Sequence, residues 1–252
     1  MASEKEKMVS SKEIRNKTIR SFAIFFLLIA AAVLGWKWLI HQPKDNRVPT
    51  PLRAVLNGNE NLFNNYIYSA NNISKAWPPD DAAPRVRVNG DIGLKGVFDT
   101  ATWKLQVVQK PGDTLFLSLD EIKALPKTEV IFDFKCIEGW SQVTHWGGVK
   151  FSDFVKKYNL AGEAAMKYVG LSTPDKQYYV GIDTRSIMHP QTILCYEMNG
   201  RPLPLSQGYP LRLIIPVKYG IKHLKRVGTV FFSTSKPKDY WYERGYDYYS
   251  GL

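Results

Sequence analysis

The sequence predicts an α+β domain of mixed β-sheets with few short helices, preceded by one N-terminal transmembrane helix. Three observations lead there. Short runs rich in Val, Ile, Phe and Tyr recur along the chain, many of them alternating apolar with polar. Helical spacing is confined to brief stretches such as Phe151, Phe154, Val155 and Tyr158. From Ser21 to Ile40 the chain is apolar apart from Lys37, about the ~20 residues a bilayer-spanning helix needs.

Residues 1–20 form a basic segment with Lys5, Lys7, Lys12, Arg15, Lys17 and Arg20. Downstream of the apolar run the nearest cations are Lys44 and Arg47. The positive-inside rule therefore places the N-terminus in the cytoplasm and the globular part outside, on the extracytoplasmic side of the membrane. Trp36 and Trp38 suit the headgroup belt, and Lys37 can snorkel. A cleaved signal peptide shares the basic start and apolar run, but no small-x-small cleavage site followed by a polar start is evident, which favours a retained single-pass anchor at 21–40. Residues 41–83 are expected to be a linker and N-terminal extension, with Pro and Asn frequent up to residue 64.

The main domain is expected over 84–235. Pro84–Gly90 alternates and ends in a turn pair, which predicts a strand. Thr102–Val108 and Leu115–Leu119 predict two more, and Ser118 or Asp120 can cap a short helix over Glu121–Ala124 before Pro126. Glu129–Phe134 is a buried strand leading to Cys136. A helix over Phe151–Tyr158 has Ser152 as its candidate cap. Lys167–Ser172, Tyr178–Ile182, Ile193–Met198, Leu211–Ile215 and Val227–Ser233 predict the remaining strands, with a turn at Asn199-Gly200. The tail, 236–252, carries too many aromatic residues for idle chain in water and is expected to pack on the domain or a partner.

A formal net charge of +11 favours acidic partners such as phosphate groups, anionic headgroups or acidic protein. No zinc-finger spacing, recognition-helix pattern or RNA-binding signature is present, so nucleic acid is not the expected partner. With two cysteines, a disulfide scaffold fails on count. Cys195, in an apolar strand, reads as core. Cys136 closes an apolar strand and opens a glycine-containing turn between two tryptophans, Trp140 and Trp146. Taken alone it is a soft metal ligand, a nucleophile or an inert buried thiol. Arg212 sits inside an apolar strand, where charges rarely stay without a partner, and this points to a bound anion. His189 is either a proton relay or a structural histidine before Pro190.

The run Cys136-Ile137-Glu138-Gly139-Trp140-Ser141, followed by Trp146-Gly147-Gly148-Val149, resembles the metal-ligand loop of the sulfite oxidase fold. Met188-His189-Pro190, Asn199-Gly200-Arg201-Pro202-Leu203-Pro204, Gly208-Tyr209-Pro210-Leu211-Arg212-Leu213 and Pro216 to Lys225 extend the resemblance to the catalytic subunits of bacterial periplasmic methionine sulfoxide reductases and their molybdopterin-binding relatives. It covers roughly Val86 to Ser233.

The resemblance implies a Mo-molybdopterin cofactor, with Cys136 as the protein thiolate on the metal and as the catalytic residue. It places Arg212, Lys225 and the backbone at His223 and Leu224 on the cofactor phosphate, with Thr173 and Gln207 as further contacts; Gln207 stands where a relative has Asn. From the residues themselves, Trp140, His145 and Tyr219 are the candidates for the substrate approach, with core packing the alternative for Trp140 and Tyr219 and a place on the rim of the Cys136 loop the alternative for His145. Asn64-Asn65-Tyr66-Ile67-Tyr68 resembles the family's early Asn-x-x-Tyr contact. The implied activity is oxygen-atom transfer, with a small-molecule or protein sulfoxide as substrate and a membrane haem or quinone-linked donor supplying electrons. Sulfite-type oxidation and a cofactor-free, membrane-tethered binding module are the alternatives. Two departures stand out. Thr18–Phe22 has one arginine where exported relatives carry a twin-arginine signal, and Gly139 and Trp140 occupy the place of the arginine-rich anion site of true sulfite oxidases.

Overall fold

The computed structural model describes residues 10–96 and 98–251, so Lys5 and Lys7 of the basic segment lie outside the described residues. The chain divides into two compact units, 1–55 and 56–252.

In the first unit one long helix, α1 (Ser11–Ile40), runs for 30 residues. It begins ten residues before the apolar run, because Lys, Arg and Glu are good helix formers and Ser10 caps the end by accepting from the Glu13 N–H at 3.2 Å. At ~1.5 Å per residue it is about 45 Å long, and it is apolar enough to cross a membrane. The expected linker is also more ordered than its composition suggests. β1 (Lys44–Asp45) and β2 (Val48–Pro49) form a hairpin, and α2 (Thr50–Leu62) follows, with Pro51 in its first turn where a missing N–H costs nothing.

The second unit holds the main domain. A π-turn over Phe63–Ile67 follows α2. Then come β3 (Leu105–Lys110), β4 (Asp113–Leu117), α3 (Leu119–Lys123), β5 (Lys127–Lys135), β6 (Ser141–Lys150), α4 (Phe151–Lys157), β7 (Tyr168–Ser172), β8 (Tyr179–Asp183), α5 (Thr184–Ile187), β9 (Ile193–Met198), β10 (Arg201–Pro202), β11 (Arg212–Ile214) and β12 (Thr229–Ser233). One five-stranded sheet has the order β4-β3-β12-β7-β8, with β3 and β12 parallel and the other pairs antiparallel. The second runs β10-β9-β6-β5, and β11 also pairs with β9. The mixed sheets and few short helices are the expected α+β architecture.

Ser118 makes a capping box with Glu121 at the start of α3, whereas Ser152 does not cap α4, whose N-cap is Lys150. The main core gathers inward-facing residues of both sheets, including Leu105, Val107, Val169, Leu171, Leu194, Leu213 and Val230, with Phe151 and Phe154 of α4. A smaller core of Val130, Phe132, Trp146, Ile193, Cys195 and Ile214 packs about the second sheet.

Two expectations are corrected. Residues 84–90 are not a strand. Their backbone groups are claimed by side chains instead of a neighbouring ladder: Gln142 accepts from the Arg87 N–H, and Gln207 donates to the Val86 carbonyl. Conversely, β6 is a ten-residue strand that the glycine pair had hidden. Gly148 lies so close to β9 that a Cβ there would come within 2.2 Å of the Leu194 carbonyl oxygen. The residue type that weakens strand propensity is the one that lets these two strands approach.

Candidate active site

β5 and β6 pair from Lys127↔Val149 to Lys135↔Ser141, leaving Cys136–Trp140 as a five-residue connection. The Cys136 N–H donates to the Trp140 carbonyl at 2.9 Å, and the Gly139 N–H donates to the Cys136 carbonyl at 3.0 Å. Gly139 has φ 88°, a left-handed conformation that glycine adopts without the Cβ penalty. The turn holds Cys136 at the strand end, 6 % exposed, against a cavity of about 310 Å³.

Strand alternation decides what else faces that cavity. Phe134 of β5 and Gln142, Thr144 and Trp146 of β6 line it. His145 points to the other face of the sheet, with Nε2 3.4 Å from Glu129. It therefore does not line the cavity.

The structure brings Cys136, Trp140, Gln207, Arg212, His223 and Lys225 to this one cavity. Arg212 is buried on β11 over the Trp146 ring, at 4.4 Å. One guanidinium nitrogen donates to Gln207 Oε1 at 2.7 Å and to the Gln207 carbonyl at 3.2 Å, while Nε is buried with no hydrogen-bond partner among the described residues. Burial lowers the Arg212 pKa to about 10. Lys225 Nζ donates to the carbonyls of Asn89 and Gly90, at 2.8 and 2.9 Å. Burial, with the nearby Arg212 charge, lowers it to about 8. His223 Nδ1 faces the Ile215 N–H and Nε2 lies 3.1 Å from the Lys218 carbonyl, so both ring nitrogens are engaged by backbone. Burial and then Arg212 push its pKa down to about 3, which keeps the ring neutral.

Thr173, Leu224 and Tyr219 are not among the lining residues. The Thr173 hydroxyl donates to Asp175 at 2.6 Å, and its side chain packs beneath Gly93, in the turn whose Asp91 and Ile92 do reach the cavity. Leu224 is a core residue, and Tyr219 gives its N–H to the Ser250 carbonyl. Tyr68 of the Asn64–Tyr68 segment donates to the Arg185 carbonyl, in a different groove. His189 is buried, accepts from the Gln191 N–H at Nδ1, and lies outside the lining.

Other lining residues were not among the site candidates the sequence offered. Asn89 places Nδ2 3.7 Å from Cys136 Sγ. Tyr178, Trp241 and Tyr246 form an aromatic wall delivered by the residue just before β8 and by the tail. The turn pair Asn89-Gly90 was visible in the sequence, but nothing there tied it to Cys136.

Among the described residues there is no cluster of three or more His, Cys, Asp or Glu able to close around a metal. The cavity offers a single thiol, two desolvated cations and an orphaned Arg212 Nε. This donor set fits a soft metal that arrives with its own sulfur ligands and a phosphate, and does not resemble a closed protein cage.

Residues 92–241 match the model of the oxidoreductase molybdopterin binding domain family, and the chain belongs to it. It is thus a molybdopterin-class oxidoreductase. Among curated relatives, it is 31% identical over 210 residues to the "Putative protein-methionine-sulfoxide reductase subunit YedZ1" of Azospira oryzae, covering 82% of this chain and 78% of that one. It is 36% identical over 159 residues to the protein-methionine-sulfoxide reductase catalytic subunit MsrP of Xanthomonas campestris pv. campestris, covering 56% and 48%. The MsrP of Campylobacter jejuni is 30% identical over 166 residues, covering 60% and 55%. The chain thus spans about half the length of these MsrP relatives. Among solved structures, the sulfane dehydrogenase SoxCD of Paracoccus pantotrophus aligns with a TM-score of 0.49 at 17% identity, covering 56% of this chain and 40% of that one.

Proposed function

We propose that this chain is a membrane-anchored molybdenum–molybdopterin oxidoreductase that reduces a sulfoxide, in a small molecule or a protein, to the sulfide. The observation that carries the reading is the convergence of Cys136, Arg212 and Lys225 on one cavity. The names of the curated relatives favour sulfoxide over sulfite as substrate.

Cys136 would supply the thiolate to the metal, and the Asn89 amide would donate to that sulfur. Arg212 and Lys225 would hold the cofactor phosphate, and an anion there offsets the cost of burying both cations; the N–H groups of His223 and Leu224 are already given to the Gly220 and Lys222 carbonyls. Gln207 aligns the guanidinium, and Thr173 acts from behind by supporting the Gly93 turn. When bound, the metal supplies two-electron oxygen-atom chemistry. Reduction of one sulfoxide takes two electrons and two protons and releases water. The electrons would come from a separate membrane haem or quinone-linked protein. Helix α1 would anchor the chain in the inner membrane, with the domain on the periplasmic side.

The test is metal and pterin analysis of the purified protein, with steady-state assays on a sulfoxide and on sulfite. Molybdenum near one per chain, lost in Cys136→Ser, and turnover of the sulfoxide are expected. Metal-free, pterin-free wild type would overturn the reading, and turnover of sulfite alone would move it to sulfite oxidation.

A further inference from the structure

The family match ends at residue 241, yet Tyr246 lines the cavity. The tail is carried there by a chain of contacts. Lys222, buried at 1 % exposure, sets Nζ 2.5 Å from Asp239 Oδ2. The other carboxylate oxygen accepts from the N–H groups of Trp241 and Tyr242, at 3.1 and 3.0 Å, and starts a short turn over Tyr242–Arg244. Gly245, at φ 99°, ends that turn and reverses the chain, a conformation suited to glycine. The Tyr246 N–H then donates back to the Trp241 carbonyl at 3.0 Å. As a result the two rings meet edge to face, with centroids 4.9 Å apart.

Trp241 is itself fixed from inside. Its indole N–H donates to the Tyr178 hydroxyl at 3.0 Å, and that hydroxyl donates to the Ile221 carbonyl at 2.6 Å. The wall therefore runs Ile221, Tyr178, Trp241, Tyr246, and Tyr246, at 39% exposure, is its outer member. Trp140, stacked on Phe134 at 6.0 Å, lines the same cavity. Aromatic surface of this kind receives apolar chains and sulfur groups favourably.

We propose that Tyr246 is a specificity residue: its ring, set by Trp241, selects for the apolar chain attached to the sulfoxide, so that an extended methionine-type sulfoxide is preferred over a small dialkyl one. This rests on the sulfoxide-reductase reading above. The hydroxyl is not needed for the role; the ring is.

The experiment uses full-length holoenzyme and two probes, N-acetyl-methionine sulfoxide amide and dimethyl sulfoxide. Steady-state kinetics give kcat and KM for each, and calorimetry on the oxidised enzyme gives each Kd. Tyr246→Ala is expected to lower the kcat/KM ratio of the extended over the small probe by about fivefold, the scale of one lost aromatic contact. The change should appear in KM and in the ratio of the two Kd values. Tyr246→Phe should restore both ratios. Tyr246→Leu, which keeps apolar bulk, is the second variant should Tyr246→Ala lose molybdenum or melt early, and it should fall between the other two. Ratios in the folded variants equal to wild type would overturn the assignment while leaving the sulfoxide reading intact. Failure of wild type to bind either probe would sink both.

Discussion

Arg212 and Lys225 face one cavity, and neither forms an ion pair among the described residues. Arg212 is held by Gln207 and Lys225 by two backbone carbonyls, contacts that orient a cation without neutralising it. Their pKa values, lowered to about 10 and about 8, record the cost of placing two like charges out of water. A phosphate would remove that cost, and this sets the first prediction.

In cofactor-free protein, burial and the nearby Arg212 charge lower the Lys225 pKa to about 8, against the ordinary lysine value of 10.5 in the unfolded chain. Between those values the unfolded chain binds more protons, so stability rises with pH; below about pH 8 the full penalty persists. Lys218, lowered to about 8 mainly by burial, contributes with the same sign. The difference in urea midpoint between wild type and Lys225→Gln isolates Lys225. It should change in favour of wild type from pH 8 to 10.5, and cofactor-loaded protein should not show the rise. A pH-independent difference in cofactor-free protein would count against a desolvated ammonium at this site.

The two cysteines should behave differently. Cys195 is fully buried, its thiol donates to the Glu197 carbonyl at 3.1 Å, and burial pushes its pKa up to about 12. It should resist iodoacetamide at pH 8 in the native protein, and Cys195→Ala should keep its molybdenum. Cys136→Ser should lose the metal. Peptide mass spectrometry and metal analysis read these outcomes.

Gly148→Ala should destabilise the domain by more than about 2 kcal/mol, because an overpacked site meets backbone and not a movable side-chain end. Gly162→Ala, in open space, should change stability by less than about 1 kcal/mol. Equal denaturation midpoints for the two variants would contradict the close approach of β6 and β9.

Lys222→Met leaves Asp239 buried without its cation, and a loss of about 3–5 kcal/mol is expected. Since Asp239 also holds the turn that carries Tyr246, hydrogen exchange over 240–250 should rise more than over β12. Uniform exchange across both would separate the ion pair from the tail.

Much of the candidate site was legible because its cavity is lined by residue types that are rare in such positions. A cysteine at a strand end and an arginine within an apolar strand are conspicuous in sequence, and Gln207, His223 and Lys225 followed from the spacing of the resemblance. Thr173 and Leu224, taken from the same resemblance, stand behind the cavity lining. His145 was read as near the Cys136 loop, which is true in sequence, but one step along a strand turns a side chain to the opposite face. Asn89 and Tyr246 were missed because their approach to Cys136 and Trp241 is made by irregular chain, held by Lys225 and Gln207 in one case and by Asp239 in the other.

By itself the sequence determined the α+β class, most strands, the apolar N-terminal helix and the family, because periodicity, composition and motif spacing are local properties of the chain. Only the tertiary structure decided that β6 is a strand, that residues 84–90 are not, and that the tail forms a cavity wall. Those outcomes depend on partners supplied by other parts of the chain, β9 for β6, Gln142 and Gln207 for residues 84–90, and Tyr178 for the tail, and no local pattern encodes that choice.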